Sequence, residues 1–125
     1  MRFFVAAAIR GGRTHQPEYR AIVAFLEHHG TVVNPHVADD TISEYGETDL
    51  TKEQIHDREL QSLRSSDLVI AEVTTPSLGV GYLIAAAVHA QKPVVCLYQG
   101  TETYKLYRDG QGRCASDGAY VRGNR

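Results

Sequence analysis

The sequence predicts an α/β fold with a mainly parallel sheet in three layers. Three observations carry this prediction: apolar runs within Phe3–Ile9, Asp67–Glu72 and Pro93–Tyr98, helically spaced apolar residues between them, and glycine- or serine-bearing turns at the junctions.

Taken in order, Phe3 to Ile9 is continuously apolar, as a parallel strand covered on both faces must be. A loop follows from Arg10 to Gln16. Pro17 suits a first helical turn, and Tyr19, Ile22, Val23 and Leu26 recur at helical spacing until Gly30 stops the helix. Thr31-Val32-Val33 is a short second strand. Residues 34–49 are polar without a period, the pattern of a long loop or cover near a site. Thr51-Lys52-Glu53-Gln54 has capping-box spacing, and Ile55, Leu60 and Leu63 continue a helix to about Ser65-Ser66. Asp67–Glu72 is the third strand, Gly79–Ala90 the third helix and Pro93–Tyr98 the fourth strand. Beyond residue 99 the apolar signal fades, and no well-marked fifth strand and helix is expected there. A single domain over residues 1–125, weakly defined from about 99, is the resulting organisation.

Composition narrows the function classes. At 125 residues the chain has room for one core. With 42% hydrophobic and 22% charged residues it is expected to fold, and a net charge of −2 gives no basic surplus for a nucleic-acid polymer. Cys96 and Cys114 form neither a CxxC pair nor a disulfide framework, so a reducing, cytoplasmic setting is expected. The apolar start is too short for a signal-peptide core before Arg10-Gly11-Gly12-Arg13, and no run of about eighteen apolar residues predicts a membrane span.

Ligands in parallel sheets sit beyond the carboxyl ends of the strands. Ile9-Arg10-Gly11-Gly12-Arg13, the loop from Asn34, and Thr74 to Gly81 all converge there. Glycines admit backbone N–H groups close to an anion, the helix start near Gly79 adds its positive end, and arginines supply charge-assisted bonds. A phosphate monoester fits this chemistry; glycines that only make tight connections are the alternative. Among the carboxylates, Asp57 and Glu59 are two apart on a helix, so at most one enters a given pocket. Glu72 ends a buried strand and either caps the following turn, holds a neighbouring arginine or acts directly on a ligand. Asp67, at the opposite strand end, is structural. His15, His36 and His56 are too scattered for a metal signature, and no cofactor is expected.

On Ile9–Arg13, Ile55-His56-Asp57-Arg58-Glu59-Leu60, Asp67–Thr74 and Pro76-Ser77-Leu78-Gly79-Val80-Gly81-Tyr82, the chain resembles the 2'-deoxynucleoside 5'-phosphate N-hydrolases, relatives of the nucleoside 2-deoxyribosyltransferases. The resemblance covers Phe3 to about Tyr98. It implies a Rossmann-like or flavodoxin-like dimer that cleaves nucleoside 5'-monophosphates to free base and sugar 5-phosphate without a metal. Carried over, Arg10, Gly11, Gly12 and Arg13 with Ser77 and Gly79 hold the phosphate, and Gly81 belongs to the same substrate-binding turn. Ile9 and Phe4 border the substrate, Phe4 standing where the family has a tyrosine.

The resemblance breaks at the chemistry. The family's glutamate after Gly-Tyr is Leu83 here, the helix aspartate is Glu59, and the partner-subunit serine falls around Tyr104-Lys105-Leu106-Tyr107, where the register offers tyrosine or leucine. An isobutyl group forms no glycosyl intermediate and stabilises no oxocarbenium-like charge. Either Glu59 or Glu72 replaces the lost carboxylate, or the chain is a nucleotide-binding homodimer without catalysis, or Leu83 is a change peculiar to this chain.

Overall fold

A computed structural model describes residues 1–9, 16–39, 49–99 and 119–122. Five strands form one sheet: β1 (Arg2–Ala6), β2 (Thr31–Val32), β3 (Leu68–Glu72), β4 (Val94–Leu97) and β5 (Ala119–Arg122), in the order β2-β1-β3-β4-β5. The first four run parallel, with Phe3 opposite Val32 and Leu68, and Ile70 opposite Val95. This doubly wound order reverses direction between β1 and β3, which opens a crevice at their carboxyl ends.

Helix α1 (Gln16–Glu27) lies on one face, and α2 (Lys52–Ser65) and α3 (Leu78–His89) on the other. Strand alternation divides the core accordingly. Phe3, Val5 and Ile70 pack with Val23 and Leu26 of α1, while Phe4, Ala6, Val69 and Ala71 pack with Leu63, Val80 and Ala87. Cys96 packs beside this second cluster as a small apolar residue.

Local signals explain the boundaries. The Thr51 hydroxyl accepts from Gln54 N–H at 3.2 Å and Gln54 Oε1 accepts from Thr51 N–H at 2.9 Å, completing the capping box that starts α2. Gly30 is required by close approach, since a Cβ there would collide with the Met1 carbonyl that accepts from Thr31 N–H. Asp67 is structural as expected: its Oδ2 accepts from Arg2 N–H at 2.7 Å and ties the entry of β3 to that of β1.

Two expectations need correction. A fifth strand does exist: β5 pairs antiparallel with β4, Leu97 opposite Ala119 and Val94 opposite Arg122. Four residues, placed by the free edge of β4, carry little local signal of their own. The stretch after β2 is not uniformly irregular either, because Pro35–Ala38 form a 3₁₀ turn with Pro35 in its first turn.

Candidate functional site

One cavity of about 400 Å³ opens at the carboxyl end of β1, between the 3₁₀ turn and the first turns of α2 and α3. β1 and its extension supply Val5, Ala6, Ala7 and Ile9, a mainly apolar floor.

Helix α2 supplies the ionisable wall. Lys52, Ile55, His56 and Glu59 recur at helical spacing, so the capping box that fixes the helix start also fixes the face turned to the cavity, which Arg58 borders as well. Asp57 is off this face, its side chain 82% exposed. Of Asp57 and Glu59, it is Glu59 that enters.

Glu59 is held from two elements. Its Oε1 lies 2.8 Å from His36 Nε2 on the 3₁₀ turn and 2.9 Å from an Arg58 guanidinium nitrogen, with Arg58 Nε at 3.2 Å. Burial pushes the carboxyl up, but the His36 hydrogen bond and charge together with those of Arg58 outweigh it, holding Glu59 below the ordinary carboxylate value. It is therefore ionised at neutral pH. Arg58 also approaches His36 Nε2 at 3.0 Å. That nitrogen cannot both donate to Glu59 and accept from Arg58, and the carboxylate charge favours the donor arrangement.

Helix α3 supplies Ser77, Gly79, Val80, Tyr82 and Leu83. Ser77 is the N-cap, its Oγ accepting from Val80 N–H at 3.3 Å. As an acceptor in that bond, the hydroxyl keeps its own proton to donate, which suits an anion at the helix start. Tyr82 O–H meets His56 Nε2 at 2.9 Å, and His56 Nδ1 meets Asp57 Oδ1 at 3.1 Å, a hydrogen-bonded chain along the rim.

Of the residues singled out from sequence, the cavity brings together Ile9, Glu59, Ser77, Gly79 and Leu83. Phe4 and Glu72 are not among its lining residues. Phe4 is fully buried in the core because of its place along β1: it packs with Leu63 and Val80, while Val5 and Ala6, nearer the carboxyl end of the strand, reach the cavity. Phe4, expected to border the substrate, is thus a packing residue beneath this cavity. Glu72, 4% exposed, accepts through Oε1 from the backbone N–H and hydroxyl of Thr74, the turn-capping alternative of the sequence reading. Gly81 sits on the outer side of α3, where an added Cβ would meet nothing within 4 Å. Arg10, Gly11, Gly12, Arg13 and Tyr104–Tyr107 lie outside the described residues.

Sequence reasoning missed Asn34, Lys52, Arg58 and Tyr82, and treated His36 and His56 only as metal candidates. The i, i+3, i+4, i+7 spacing from Lys52 to Glu59 was a usable signal for the α2 face. Among the described residues no group of three or more His, Cys, Asp and Glu is placed to hold a metal ion.

A family model described as nucleoside 2-deoxyribosyltransferase matches residues 3–120. A 5-hydroxymethyl-dUMP N-hydrolase of Danio rerio is 42% identical over 99 residues, covering 79% of this chain and 69% of that protein. The Mus musculus protein of the same name is 45% identical over 97 residues, covering 77% of this chain and 56% of its own length. Among solved structures, a Clostridium botulinum CMP N-glycosidase superposes with a TM-score of 0.58 at 23% identity, covering 83% of this chain and 74% of that one, a likeness of fold.

Proposed function

The chain belongs to the nucleoside 2-deoxyribosyltransferase family, and on that premise we propose that it hydrolyses the N-glycosidic bond of ribo- or deoxyribonucleoside 5'-monophosphates. The products are free base and sugar 5-phosphate. Relatives named N-hydrolases of a nucleotide support the reaction class. One observation carries the assignment to this cavity: an ionised, largely buried Glu59 shares a single space with the Ser77–Gly79 helix start.

In this reading the 5'-phosphate lies at Ser77 and Gly79, with Arg10 to Arg13 completing its contacts. The sugar then spans the apolar floor toward Glu59. As the C–N bond breaks, its electron pair leaves with the base, which takes up a proton, and the oxygen of water bonds to the anomeric carbon. Positive charge develops on the sugar, and a fixed carboxylate is the group that stabilises it. Glu59 serves this purpose and Glu72, sequestered by Thr74, does not.

Leu83 favours a second reading. It lines the cavity and packs on the core where the resemblance implies a glutamate, so the alternative is a nucleotide-binding protein that releases no base. Base release from a panel of nucleoside 5'-monophosphates, followed by chromatography beside calorimetric binding, separates the two. Release that is lost in Glu59→Gln supports hydrolysis; binding with no release from any member of the panel supports the silent protein.

Both readings include a homodimer. The outer face of α3 supports it: Leu78 is 96% and Tyr82 51% exposed, and Gly81, Ala85 and Val88 continue the same apolar stripe. A cytoplasmic site of action fits the sequence spacing of Cys96 and Cys114, which offers no disulfide framework. No helix among the described residues is long and apolar enough to cross a membrane.

A further inference from the structure

The pairing between β1 and β2 ends early. Arg2 lies opposite Thr31 and Phe3 opposite Val32, and Val33 N–H donates to Phe3 O at 2.8 Å. Backbone groups of alternate strand residues point to the same neighbour, so the N–H and C=O of Val5 face the side that β2 has already left. Two backbone groups in a residue 1% exposed require partners.

Asn34 supplies both from its side chain. Val5 N–H donates to Asn34 Oδ1 at 2.9 Å, and Asn34 Nδ2 donates to Val5 O at 2.7 Å. The primary amide thus stands in for one peptide unit of the missing strand. It is itself 1% exposed and lines the cavity. Because a side chain does the pairing, the main chain is free to turn away at Asn34 into Pro35–Ala38, and two residues later His36 reaches Glu59.

We propose that Asn34 is the positioning residue of this site: its clip on Val5 fixes the 3₁₀ turn, and through His36 it sets the placement and charge state of Glu59. The inference rests on the reading of Glu59 as the functional carboxylate. It explains why an amide is needed here. Aspartate has the same shape but presents a second acceptor to Val5 O, and alanine reaches neither group.

The test reads Glu59 directly in the ligand-free protein. Carbon-13 NMR titration of the Glu59 carboxyl is recorded for wild type, Asn34→Asp, Asn34→Ala and His36→Gln, with circular dichroism confirming folding. The expected result is an upward shift of the Glu59 midpoint in the folded Asn34 variants, in the direction produced by His36→Gln. A folded Asn34 variant whose Glu59 titrates as in wild type overturns the proposal.

Hydrogen exchange of wild-type Val5 N–H covers the case in which neither variant folds. Exchange as slow as that of Val69 or Ile70 supports the clip, and exchange at the rate of exposed amides overturns it. Neither readout depends on turnover, so absence of base release would remove the hydrolase reading and leave this test standing.

Discussion

His36 Nε2 lies 2.8 Å from Glu59 Oε1, joining a 3₁₀ turn beside β1 to the middle of α2 across the cavity mouth. The contact links the electrostatics of the site to the stability of the fold.

Its pH dependence has a definite sign. Glu59 titrates below its ordinary value of 4.5 in the folded state, so its contribution to stability is present above that value and lost as pH falls through the folded-state midpoint. Thermal melts of wild type and Glu59→Gln should differ by a constant amount near neutrality. Below pH 4.5 the difference should move steadily against the wild type; a difference that stays constant down to the acid transition would contradict the ion-paired assignment.

Ser77 caps α3 and, in the proposed reading, also binds phosphate, two tasks that substitution can separate. Ser77→Ala removes the helix cap, costing about 1 kcal/mol in denaturant melts. If Ser77 donates to phosphate as proposed, nucleotide binding should also weaken by about tenfold or more. Ser77→Asp preserves a good cap yet places negative charge at the anion site, so stability should hold while binding is lost. Equal nucleotide affinity in Ser77→Asp and wild type would dissociate the phosphate from this turn.

Leu83→Glu adds a carboxylate to the cavity at a half-buried position packed on the core. Desolvation should lower stability by about 1–3 kcal/mol. Base release should nevertheless rise about tenfold or more, because a group able to meet the anomeric charge replaces one that cannot. A stable Leu83→Glu protein with no gain would argue that the cavity geometry, rather than one missing side chain, limits the chemistry.

Gly81 tests the homodimer. An added Cβ there meets nothing within 4 Å among the described residues, so Gly81→Leu should keep or raise the thermal stability of the fold, helped by up to about 1 kcal/mol of helix propensity. On the apolar stripe of α3 it should obstruct close helix approach. Light scattering behind size exclusion is expected to find wild-type dimers and Gly81→Leu monomers; a wild type that is monomeric at micromolar concentration would exclude the dimer.

The legible parts of this protein are those whose cause is local. Val69-Ile70-Ala71 is apolar on both faces because helices cover both, and Thr51 with Gln54 marks the start of α2 from four residues alone. Glu59 came from the family resemblance, while the helix register that sets it apart from Asp57 is a local signal that was left unused. What sequence could not show depends on contacts between distant segments. Asn34 meets Val5 across 29 positions, and His36 meets Glu59 across 23. Nothing in Asn34-Pro35-His36 announces either partner. Phe4 misled because the strand itself was plain, whereas how far along β1 the cavity begins is decided by the helices and the 3₁₀ turn packed at its carboxyl end.

The side-chain clip also bears on how this molecule keeps to itself. An early-ending β2 would ordinarily leave the far half of β1 as a bare edge, ready to accept a strand from another chain and so to seed aggregates. With Val5 N–H and C=O both occupied by Asn34, an intruding strand finds no open backbone pair at that position. The protein thus keeps a cavity beside β1 without leaving a bare backbone pair at Val5.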